Sequence, residues 1–343
     1  MLKGALIGCG PQGHLCLQAW KKVRSASIEA VVDLDSTMAA ALARRYYVPH
    51  HYNNIDVMLS RERIDFVHIA VGVDGQPTLV RKCLEAGLHV LASSPPAASL
   101  NVASDLVDAA TGRKLVFMFG YLERWRAVFR ALKQAVDGGA IGDVHYAHIF
   151  DRRPMGRSRP ADPQRPGLDT AQNLLVLEGL LDYVDLVRFV FGDVASVLGT
   201  TLKLNSAVKG EDFALATIRT EGKVAANILL DINWSSPLPG RAFKTANWPA
   251  IRVEGSSGAL ELDPAAGVIR VRRHTGAPTE TPLPAVPDIR MEPHLEIQGH
   301  FIESIESGTS ARCSGEDALK SLRAALAIYE SERSGGMVLI RKP

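Results

Sequence analysis

The amino-acid sequence predicts an α/β fold, in which an N-terminal doubly wound parallel sheet precedes an α+β domain with a large, open, mostly antiparallel sheet. Continuously apolar strands alternate with helices over the first part of the chain, which is typical of a parallel sheet covered on both faces. The second part has strands of alternating polarity, as half-buried antiparallel strands do. At 343 residues the chain exceeds what one core usually serves, so we expect two domains, 1–120 and 121–343.

Five apolar strands divide the first domain. They are predicted at Leu2–Ile7, Ile28–Val32, Ile64–Val71, His89–Ala92 and Leu115–Phe119. Helices are predicted between them, from the end of the first strand to about Lys22 and over Thr37–Tyr46, Gln76–Ala86 and Ala98–Ala110. Because crossovers between parallel strands are right-handed, these elements build a doubly wound sheet.

The second domain mixes strands and helices. Strands are predicted at Asp143–Phe150, Ala195–Leu204, Phe213–Arg219, Val224–Trp234, Ile251–Glu254 and Val268–Arg273. Helices are predicted at Arg124–Asp137, Leu174–Phe191, Leu295–Glu306 and Glu316–Glu332. For the last helix, packing against the first domain is one of the arrangements we consider. Residues 152–166 and 276–287 are rich in proline and are predicted as loops.

Charge and composition exclude several classes of protein. The net charge is +2, from 39 basic and 37 acidic residues, so we expect no nucleic-acid partner. No apolar run reaches the length of a membrane span, so we expect no membrane partner. The four cysteines lack the spacing of a metal site or a disulfide framework, which indicates a reducing, cytoplasmic location. His294 and His300 also match no standard metal-site spacing, so we predict no metal.

A glycine-rich turn joins the first strand to the first helix. Gly8, Gly10 and Gly13 form the G-x-G-x-x-G pattern of a dinucleotide-binding Rossmann domain. The first glycine permits the tight turn, the second lets the backbone approach a diphosphate, and the third lets helix and strand pack closely. The predicted cofactor-binding residues near this turn and at the ends of later strands are Gly8, Cys9, Gly10, Pro11, Gln12, Gly13, Ala70, Val71 and Ser93.

An acidic residue ends the second predicted strand. Asp33 lies 20 residues beyond Gly13, where a carboxylate accepts hydrogen bonds from both adenosine ribose hydroxyls and repels a 2′-phosphate. Leu34 adds no positive charge beside it, so we expect NAD as the cofactor in preference to NADP. The alternative is a tight turn that binds nothing, which leaves Asp33 unexplained.

Further segments of the chain resemble one oxidoreductase family. They are Gly8–Gly13, Val31–Asp35, Glu85–Leu91, Gly120–Trp125, Gly139–Gly142, Asp185–Asp193, Val253–Gly255 with Gly258, and the tail from His300 to Val338. In order and spacing they resemble the glucose–fructose oxidoreductase / inositol dehydrogenase / rhizopine catabolism (Gfo/Idh/MocA) family. The resemblance implies a Rossmann domain followed by an open-sheet domain, and hydride transfer between nicotinamide and a sugar, cyclitol or related polyol. It also implies a homo-oligomer, a dimer or tetramer, formed through the sheet face.

The residues that usually carry the family's chemistry are replaced here. Where the family has Glu-Lys-Pro after the fourth strand, this chain has Ser93-Ser94-Pro95, and the usual Asp-x-x-x-His falls on Glu178 and Asp182. The usual Ala-Thr-Pro-Asn-x-x-His becomes the segment of residues 70–76. Ser94 is a weak, uncharged donor, so it does not alone replace a lysine that stabilises an alkoxide and relays its proton. We therefore expect a non-standard acid–base set.

Three acids on one predicted helix offer a substitute. Glu178, Asp182 and Asp185 recur at i, i+4 and i+7, and this helix is apolar nearly all round, so we expect it to be largely buried. Two partly desolvated carboxylates on adjacent turns raise one pKa, which lets one act as general acid and the other as base. We predict Asp182 and then Glu178 as catalytic residues, together with Ser94, and Asp185 as structural. The alternative is an acidic stripe paired with Arg188 or with a loop arginine.

Other polar residues have two interpretations. Tyr121 and Arg124 follow the fifth strand and are predicted to bind substrate, although packing and a surface ion pair explain them equally well. Tyr183 is predicted to be core, because it points about 100° away from Asp182 on a helix. The arginines in the loop of residues 152–166 have two interpretations: they bind a carboxylate or phosphate group of the substrate, or they are solvated. The arginines concerned are Arg152, Arg153, Arg157, Arg159 and Arg165.

The sequence supports three functions. The first is an NAD(P)-dependent oxidoreductase that acts on a sugar-like, polyol or carbonyl small molecule with altered acid–base residues. The second is a lyase or hydrolase that uses bound NAD without net redox change. The third is a dinucleotide-binding sensor or partner subunit that has lost catalysis. Loss of the lysine and histidine equivalents favours the third, whereas the retained acidic pair favours the first two.

Overall fold

The structure, a computed structural model, describes residues 1–153, 174–221, 226–236, 249–263 and 266–340. The chain forms two compact units, one of Met1–Trp125 with Asp288–Leu319 and one of Arg126–Pro287 with Lys320–Pro343. Each unit contains one of the two sheets. The predicted domain limits of 1–120 and 121–343, and the docking of the last helix on the first domain, stay predictions.

The first unit contains a six-stranded, fully parallel sheet. Its strands are β1 (Leu2–Ile7), β2 (Ala26–Val32), β3 (His50–Tyr52), β4 (Phe66–Ile69), β5 (His89–Ser93) and β6 (Phe117–Gly120). Its first five helices are α1 (Pro11–Trp20), α2 (Ser36–Tyr46), α3 (Ile55–Arg61), α4 (Gln76–Glu85) and α5 (Leu100–Thr111). The strand order β3-β2-β1-β4-β5-β6 reverses direction between β1 and β4. This order confirms the predicted doubly wound α/β sheet.

Two elements of this unit, β3 and α3, are absent from the sequence prediction. β3 lies at the edge of the sheet beside β2, and its first two residues, His50 and His51, are exposed, so no apolar run marks it. Helix α3 has seven residues, too few for helical periodicity to stand out. The central strands are enclosed instead, with Leu6, Val67 and Leu91 fully buried. Continuous burial is what made those strands readable from sequence.

A late segment of the chain returns to the first unit. Helix α8 (Glu292–Ser307) packs on α1, where Gln298 Nε2 donates to the carbonyl oxygen of Cys16 at 2.9 Å. The N–H of Phe119 donates to the carbonyl oxygen of Cys313 at 3.0 Å, which ties the segment to β6. Local sequence patterns predict the helix but not this return.

The second unit contains a nine-stranded open sheet. Its strands are β7 (Val144–Arg152), β8 (Val194–Leu202), β9 (Phe213–Thr220), β10 (Asn227–Asn233), β11 (Ala250–Gly255), β12 (Gly258–Asp263), β13 (Val268–Arg273), β14 (Thr279–Pro282) and β15 (Val338–Leu339). The order is β14-β13-β12-β11-β7-β10-β9-β8-β15, and among these described strands only β7 and β10 pair in parallel. The helices are α6 (Ala127–Asp137), α7 (Leu181–Phe191) and most of α9 (Gly315–Ser334). The predicted mostly antiparallel sheet is confirmed.

The second unit also corrects several predicted elements. Strands β12, β14 and β15 were not predicted. β14 lies in the segment predicted as a proline-rich loop; all four of its residues are exposed, so no apolar pattern marks it as a strand. The predicted helix Arg124–Asp137 is a 3-10 turn at Glu123–Trp125 followed by α6. Among the residues described, no helix has the length and hydropathy needed to cross a bilayer.

Candidate active site

The glycine-rich turn between β1 and α1 has no room for a Cβ atom at two of its glycines. Gly8 has φ +99°, and a Cβ atom there would lie 2.3 Å from the carbonyl oxygen of Ala70. A Cβ on Gly13 would lie 2.0 Å from the carbonyl oxygen of Gly8. A Cβ on Gly10 would meet no atom of the described chain within 4 Å. Gly8 and Gly13 are therefore needed for the turn itself, whereas Gly10 keeps the space in front of the backbone open.

Asp33 lies against this turn at the end of β2. Its Oδ2 accepts a hydrogen bond from the N–H of Cys9 at 2.7 Å, and its Oδ1 accepts one from the N–H of Asp35 at 3.0 Å. Burial and the Asp33 charge raise the pKa of the Cys9 thiol to about 12, so this thiol stays protonated at neutral pH. The next side chain, Leu34, is 94% exposed. The half-buried carboxylate is thus fixed by backbone donors beside the glycine turn.

The N-terminus of α1 begins at the same turn. Pro11 occupies the first turn of the helix, and the N-cap residue Gly10 has no side chain that could satisfy the first amides. Free amides and the helix dipole favour an anion at this position. The turn therefore fits the diphosphate of a dinucleotide, and Asp33 fits an adenosine ribose.

The other predicted cofactor residues share this edge of the sheet. Strands β1, β4 and β5 are parallel neighbours, so the residues that follow them lie at one carboxyl edge. Those residues are Gly8, Ala70, Val71, Ser93 and Ser94, and all but the glycine are half-buried. Ligands of doubly wound sheets bind at this edge, beside the point where the strand order reverses. The structure thus brings Ser94 together with the predicted cofactor residues.

Tyr121 and Arg124 follow β6 and contact the beginning of α9. Tyr121 is fully buried, and its hydroxyl donates to the carbonyl oxygen of Ala318 at 3.3 Å. Arg124 Nη1 lies 2.8 Å from Asp317 Oδ2, with only 10% of the arginine side chain exposed. These contacts are of the packing and ion-pair kind that the sequence left open, and the substrate-binding role of both residues stays a prediction.

The predicted acidic helix, Leu174–Phe191, is helical over its whole length, but it is not a regular α-helix, because a π-helical turn at Val176–Leu180 runs directly into α7. Glu178 lies in the π-helical turn and Asp182 in the first turn of α7, and both are half-buried. A Cβ on Gly179 would lie 2.2 Å from Trp234 Cζ2, so the indole packs directly on the backbone there. Such turns occur often at functional sites. Trp234 comes from the end of β10, so the helical periodicity of the segment does not reveal the contact.

Glu211 holds the beginning of this π-helical turn. Its Oε1 accepts a hydrogen bond from the N–H of Val176 at 3.0 Å, and it also accepts one from the Tyr329 hydroxyl of α9. Burial and the neighbouring Glu211 carboxylate keep the pKa of Tyr329 well above its usual range, so this hydroxyl remains a donor. The two residues anchor the segment that carries Glu178 and Asp182, and no local sequence signal links them.

Asp185 lies one turn beyond Asp182 and is fully buried. Its Oδ1 accepts a hydrogen bond from Ser321 Oγ at 2.9 Å and lies 3.9 Å from Arg188 Nη1. Arg188 in turn donates to Asp193 at 2.7 Å. These bonds tie α7 to α9 and agree with the structural role that the sequence predicts for Asp185.

Sequence reasoning missed a hydrogen-bond network around Tyr183. Asp151, at the end of β7, accepts bonds from the Tyr183 hydroxyl and from Arg153 Nε, each at 2.8 Å. Arg153 Nη2 also donates to the Tyr183 hydroxyl at 3.1 Å, and its guanidinium lies 5.2 Å from the centre of the Trp234 ring. Tyr183 is buried, as predicted. Because these residues come from separate elements, their spacing in the sequence carries no signal.

The predicted arginine loop is described only at its beginning. Arg152 Nη2 donates to both carboxylate oxygens of Asp231 at 2.6 Å, and Arg153 belongs to the Tyr183 network. Arg157, Arg159 and Arg165 lie outside the described residues.

The two histidines considered as metal ligands make other contacts. His294 Nδ1 lies 3.9 Å from the thiol sulfur of Cys16, and His300 Nε2 accepts a hydrogen bond from the N–H of Arg312 at 2.9 Å. Within the described ranges, no three His, Cys, Asp or Glu side chains form a group that would hold a metal ion.

Two family models match the chain. The first, described as an oxidoreductase family with an NAD-binding Rossmann fold, matches residues 2–121, and the second, the GFO/IDH/MocA C-terminal domain, matches residues 129–261. The chain belongs to the Gfo/Idh/MocA oxidoreductase family. This confirms the resemblance found in the sequence. Since the members compared below are named dehydrogenases and oxidoreductases, the protein is an oxidoreductase with an NAD-binding domain.

Similar members of the family span nearly the whole chain. A D-apiose dehydrogenase from Paraburkholderia graminis is 29% identical over 99% of this chain and 90% of its own length. A D-apiose dehydrogenase from Rhizobium rhizogenes is 26% identical over 98% of this chain and 97% of its own length. A crystal structure of an oxidoreductase from Agrobacterium radiobacter, in complex with NAD+, L-tartaric acid and magnesium, superposes with a TM-score of 0.89. It is 26% identical and covers 98% of both chains.

Proposed function

We propose that this protein is an NAD-dependent dehydrogenase that interconverts a hydroxyl group of a sugar or polyol and the corresponding carbonyl. One observation carries the proposal: the Asp33 carboxylate is held 2.7 Å from the N–H of Cys9, within the glycine turn. The names of the relatives support the substrate class, because they include D-apiose dehydrogenases and inositol 2-dehydrogenases. Apiose is a branched sugar and inositol is a cyclic polyol.

The charges that follow β2 support NAD over NADP. A carboxylate beside the ribose accepts hydrogen bonds from its hydroxyls and repels a 2′-phosphate. Leu34 adds no charge, and Asp35, the next residue, uses its carboxylate to cap α2 through the N–H of Thr37 at 2.8 Å. The two acids and the exposed leucine therefore offer nothing cationic to a phosphate, and Leu34 offers an apolar surface to the adenine base.

The acid–base work falls to the residues of the chain. A nicotinamide coenzyme, when bound, takes the hydride from the carbon of the substrate alcohol. Asp182, as a carboxylate, accepts the proton that leaves the hydroxyl oxygen, and in the reverse reduction the protonated acid returns it to the carbonyl oxygen. Glu178 is its partner carboxylate, and Ser94 donates a hydrogen bond to the substrate oxygen. Tyr121 and Arg124 are the remaining proposed substrate residues.

The acidic pair Glu178 and Asp182 also fits a second candidate function, a lyase or hydrolase that uses bound NAD without net redox change. In that reaction the alcohol would be oxidised transiently, and a carboxylate would remove the acidified neighbouring C–H proton as a leaving group departs. In a hydrolase, water would then add to the new double bond, and the carbonyl would be reduced again by the hydride taken in the first step. A pair of carboxylates supplies the acid and base that this sequence of steps needs.

Coenzyme binding and turnover distinguish these functions. The purified protein is titrated with NADH and NADPH by fluorescence, and NAD+ reduction is then followed with D-apiose, myo-inositol and L-tartrate. We expect tighter binding of NADH than of NADPH and formation of NADH with at least one sugar or polyol. A product formed from a glycoside without net NADH would favour the lyase or hydrolase, and failure of both coenzymes to bind would refute both functions.

We also propose that the chain forms a dimer or tetramer through the open face of the nine-stranded sheet. Leu198 and Leu202 of β8 and Leu215 of β9 are exposed by 45%, 51% and 37%. They lie on one face, because Thr200, between the two β8 leucines on that face, pairs with Leu215. Light scattering tests this, since a mass equal to one 37.1 kDa chain would contradict it.

A further inference from the structure

The side chain of Gln76 is enclosed beneath the residues that follow β5. Gln76 is the first residue of α4 and is 1% exposed. Its Nε2 donates to the carbonyl oxygen of Ser93 at 2.9 Å and to that of Pro95 at 2.6 Å. One amide nitrogen thereby holds the carbonyl groups on both sides of Ser94.

These two bonds fix the part of the turn that faces the coenzyme edge. Ser93 and Ser94 are half-buried, whereas Pro95 and the two residues after it are buried. Gln76 Oε1 is buried too and accepts no hydrogen bond from the described part of the chain. The polar contacts of this amide are thus directed to the turn. A buried carbonyl group that loses its hydrogen-bond donor destabilises the fold, so the turn would rearrange if the Gln76 amide were removed.

We infer that Gln76 is a positioning residue, which acts through Ser94 by holding the turn Ser93–Pro95 in the geometry that hydride transfer requires. The inference rests on the proposed function, in which Ser94 donates to the substrate oxygen. A misplacement of about 1 Å in a reacting group reduces turnover by about 10²-fold, so a residue that never touches substrate has a large effect through such a turn.

The first variant is Gln76→Met, which keeps the length and volume of the side chain but removes both N–H donors. We expect kcat to fall about 10- to 100-fold, while the Kd for NADH, set by the glycine turn and Asp33, changes less than about twofold. Amide hydrogen exchange in a peptide covering residues 91–98 should become about tenfold faster or more. The exchange measurement needs no activity, so it tests whether Gln76 holds the turn Ser93–Pro95 even if the proposed function fails.

The second variant, Gln76→Glu, tests the donor role directly. An ionised carboxylate would face two carbonyl oxygens, and only its protonated form donates a hydrogen bond to either of them. We therefore expect the kcat of this variant, relative to that of the wild type, to rise as the pH is lowered. A purely structural residue gives no such recovery.

Gln298→Met is the matched control. Gln298 is fully buried in the same unit, and its Nε2 donates to the carbonyl oxygen of Cys16 at 2.9 Å. We expect this variant to lower Tm about as much as Gln76→Met but to leave kcat and the 91–98 exchange unchanged. Unchanged exchange in Gln76→Met, or equal losses of kcat in both methionine variants, would overturn the inference. A wild-type enzyme without turnover on any substrate would instead refute the proposed function. The exchange result alone would then show whether Gln76 holds the turn Ser93–Pro95.

Discussion

The coenzyme turn (residues 8–13) and the carboxylate segment (residues 176–185) are both shaped by glycine, but in different ways. Gly8 and Gly13 would collide with carbonyl oxygens of the backbone if they carried a Cβ. Gly179 would collide with the indole of Trp234, a side chain from the end of β10. The coenzyme turn binds through its own backbone amides, so the short G-x-G-x-x-G motif is enough to find it in the sequence. The carboxylate segment acts through side chains, whose placement depends on distant partners such as Glu211.

The largest expected effect tests the carboxylate segment. Asp182→Asn keeps the shape of the side chain but removes the proton acceptor, so we expect kcat to fall about 10²- to 10⁴-fold. The Kd for NADH, measured by fluorescence, should stay the same, because the glycine turn is untouched. Asp185→Asn is the control one turn further along the helix. It should lower Tm, since it weakens the bond to Ser321, while the folded variant keeps its kcat. Equal kcat values for Asp182→Asn and the wild type would contradict the assignment.

The next effect separates folding from binding within the coenzyme turn. In Gly10→Ala the new Cβ enters open space, so we expect an unchanged Tm but a Kd for NADH about 10- to 100-fold higher, because the methyl group occupies the place of the diphosphate. In Gly8→Ala the left-handed φ and the contact with Ala70 cost about 1–3 kcal/mol or more in folding free energy. Tm should therefore fall together with affinity. Tight coenzyme binding by Gly10→Ala would place the diphosphate elsewhere.

A smaller effect concerns coenzyme choice. Asp33→Asn removes the charge that repels a 2′-phosphate, and the amide oxygen can still accept the N–H of Cys9. We expect the ratio of the Kd for NADPH to that for NADH to fall about tenfold or more, measured by fluorescence titration. Asp35→Asn is the matched control, because asparagine also caps helices well and should leave the ratio unchanged. An unaltered ratio in Asp33→Asn would show that Asp33 does not contact the ribose.

The last prediction concerns stability in acid and lies outside the site. Burial, with a smaller contribution from His294, lowers the pKa of His68 on β4 to about 3 from the ordinary 6.5. Between these pH values the unfolded chain binds more protons than the folded one, so this contribution is complete above pH 6.5 and is lost as the pH falls. We expect it to lower the free energy of unfolding by about 1.4 kcal/mol per pH unit in that window.

Urea unfolding at several pH values measures this slope. His68→Leu should reduce the slope below pH 6.5, although it also removes the acceptor of the Trp20 Nε1–H bond, which is 3.0 Å long. His274→Asn, at an exposed position, should leave the slope unchanged. If both variants kept the wild-type slope, His68 would not be the group that titrates.

The ease of prediction followed burial. The central parallel strands are apolar on both faces and were found from sequence. The limits of β1, Leu2–Ile7, agree with the prediction, whereas β4 is shorter, Phe66–Ile69 in place of Ile64–Val71. The exposed strands β3 and β14 have no apolar pattern and were missed. At the site, the glycine turn and Asp33 were readable from spacing. The Asp151–Tyr183 network and the Glu211 anchor were not, because their members are brought together only by the packing of separate elements.

The sequence by itself determined the doubly wound sheet, the glycine turn and the acid at the end of β2, because steric limits on φ and continuous burial act within a few residues. Only the tertiary structure decided that a π-helical turn carries Glu178, that Trp234 lies against Gly179, and that Gln76 brackets Ser94. Each of those contacts joins side chains and backbone from different elements, and the register between such elements is set by how the whole core packs.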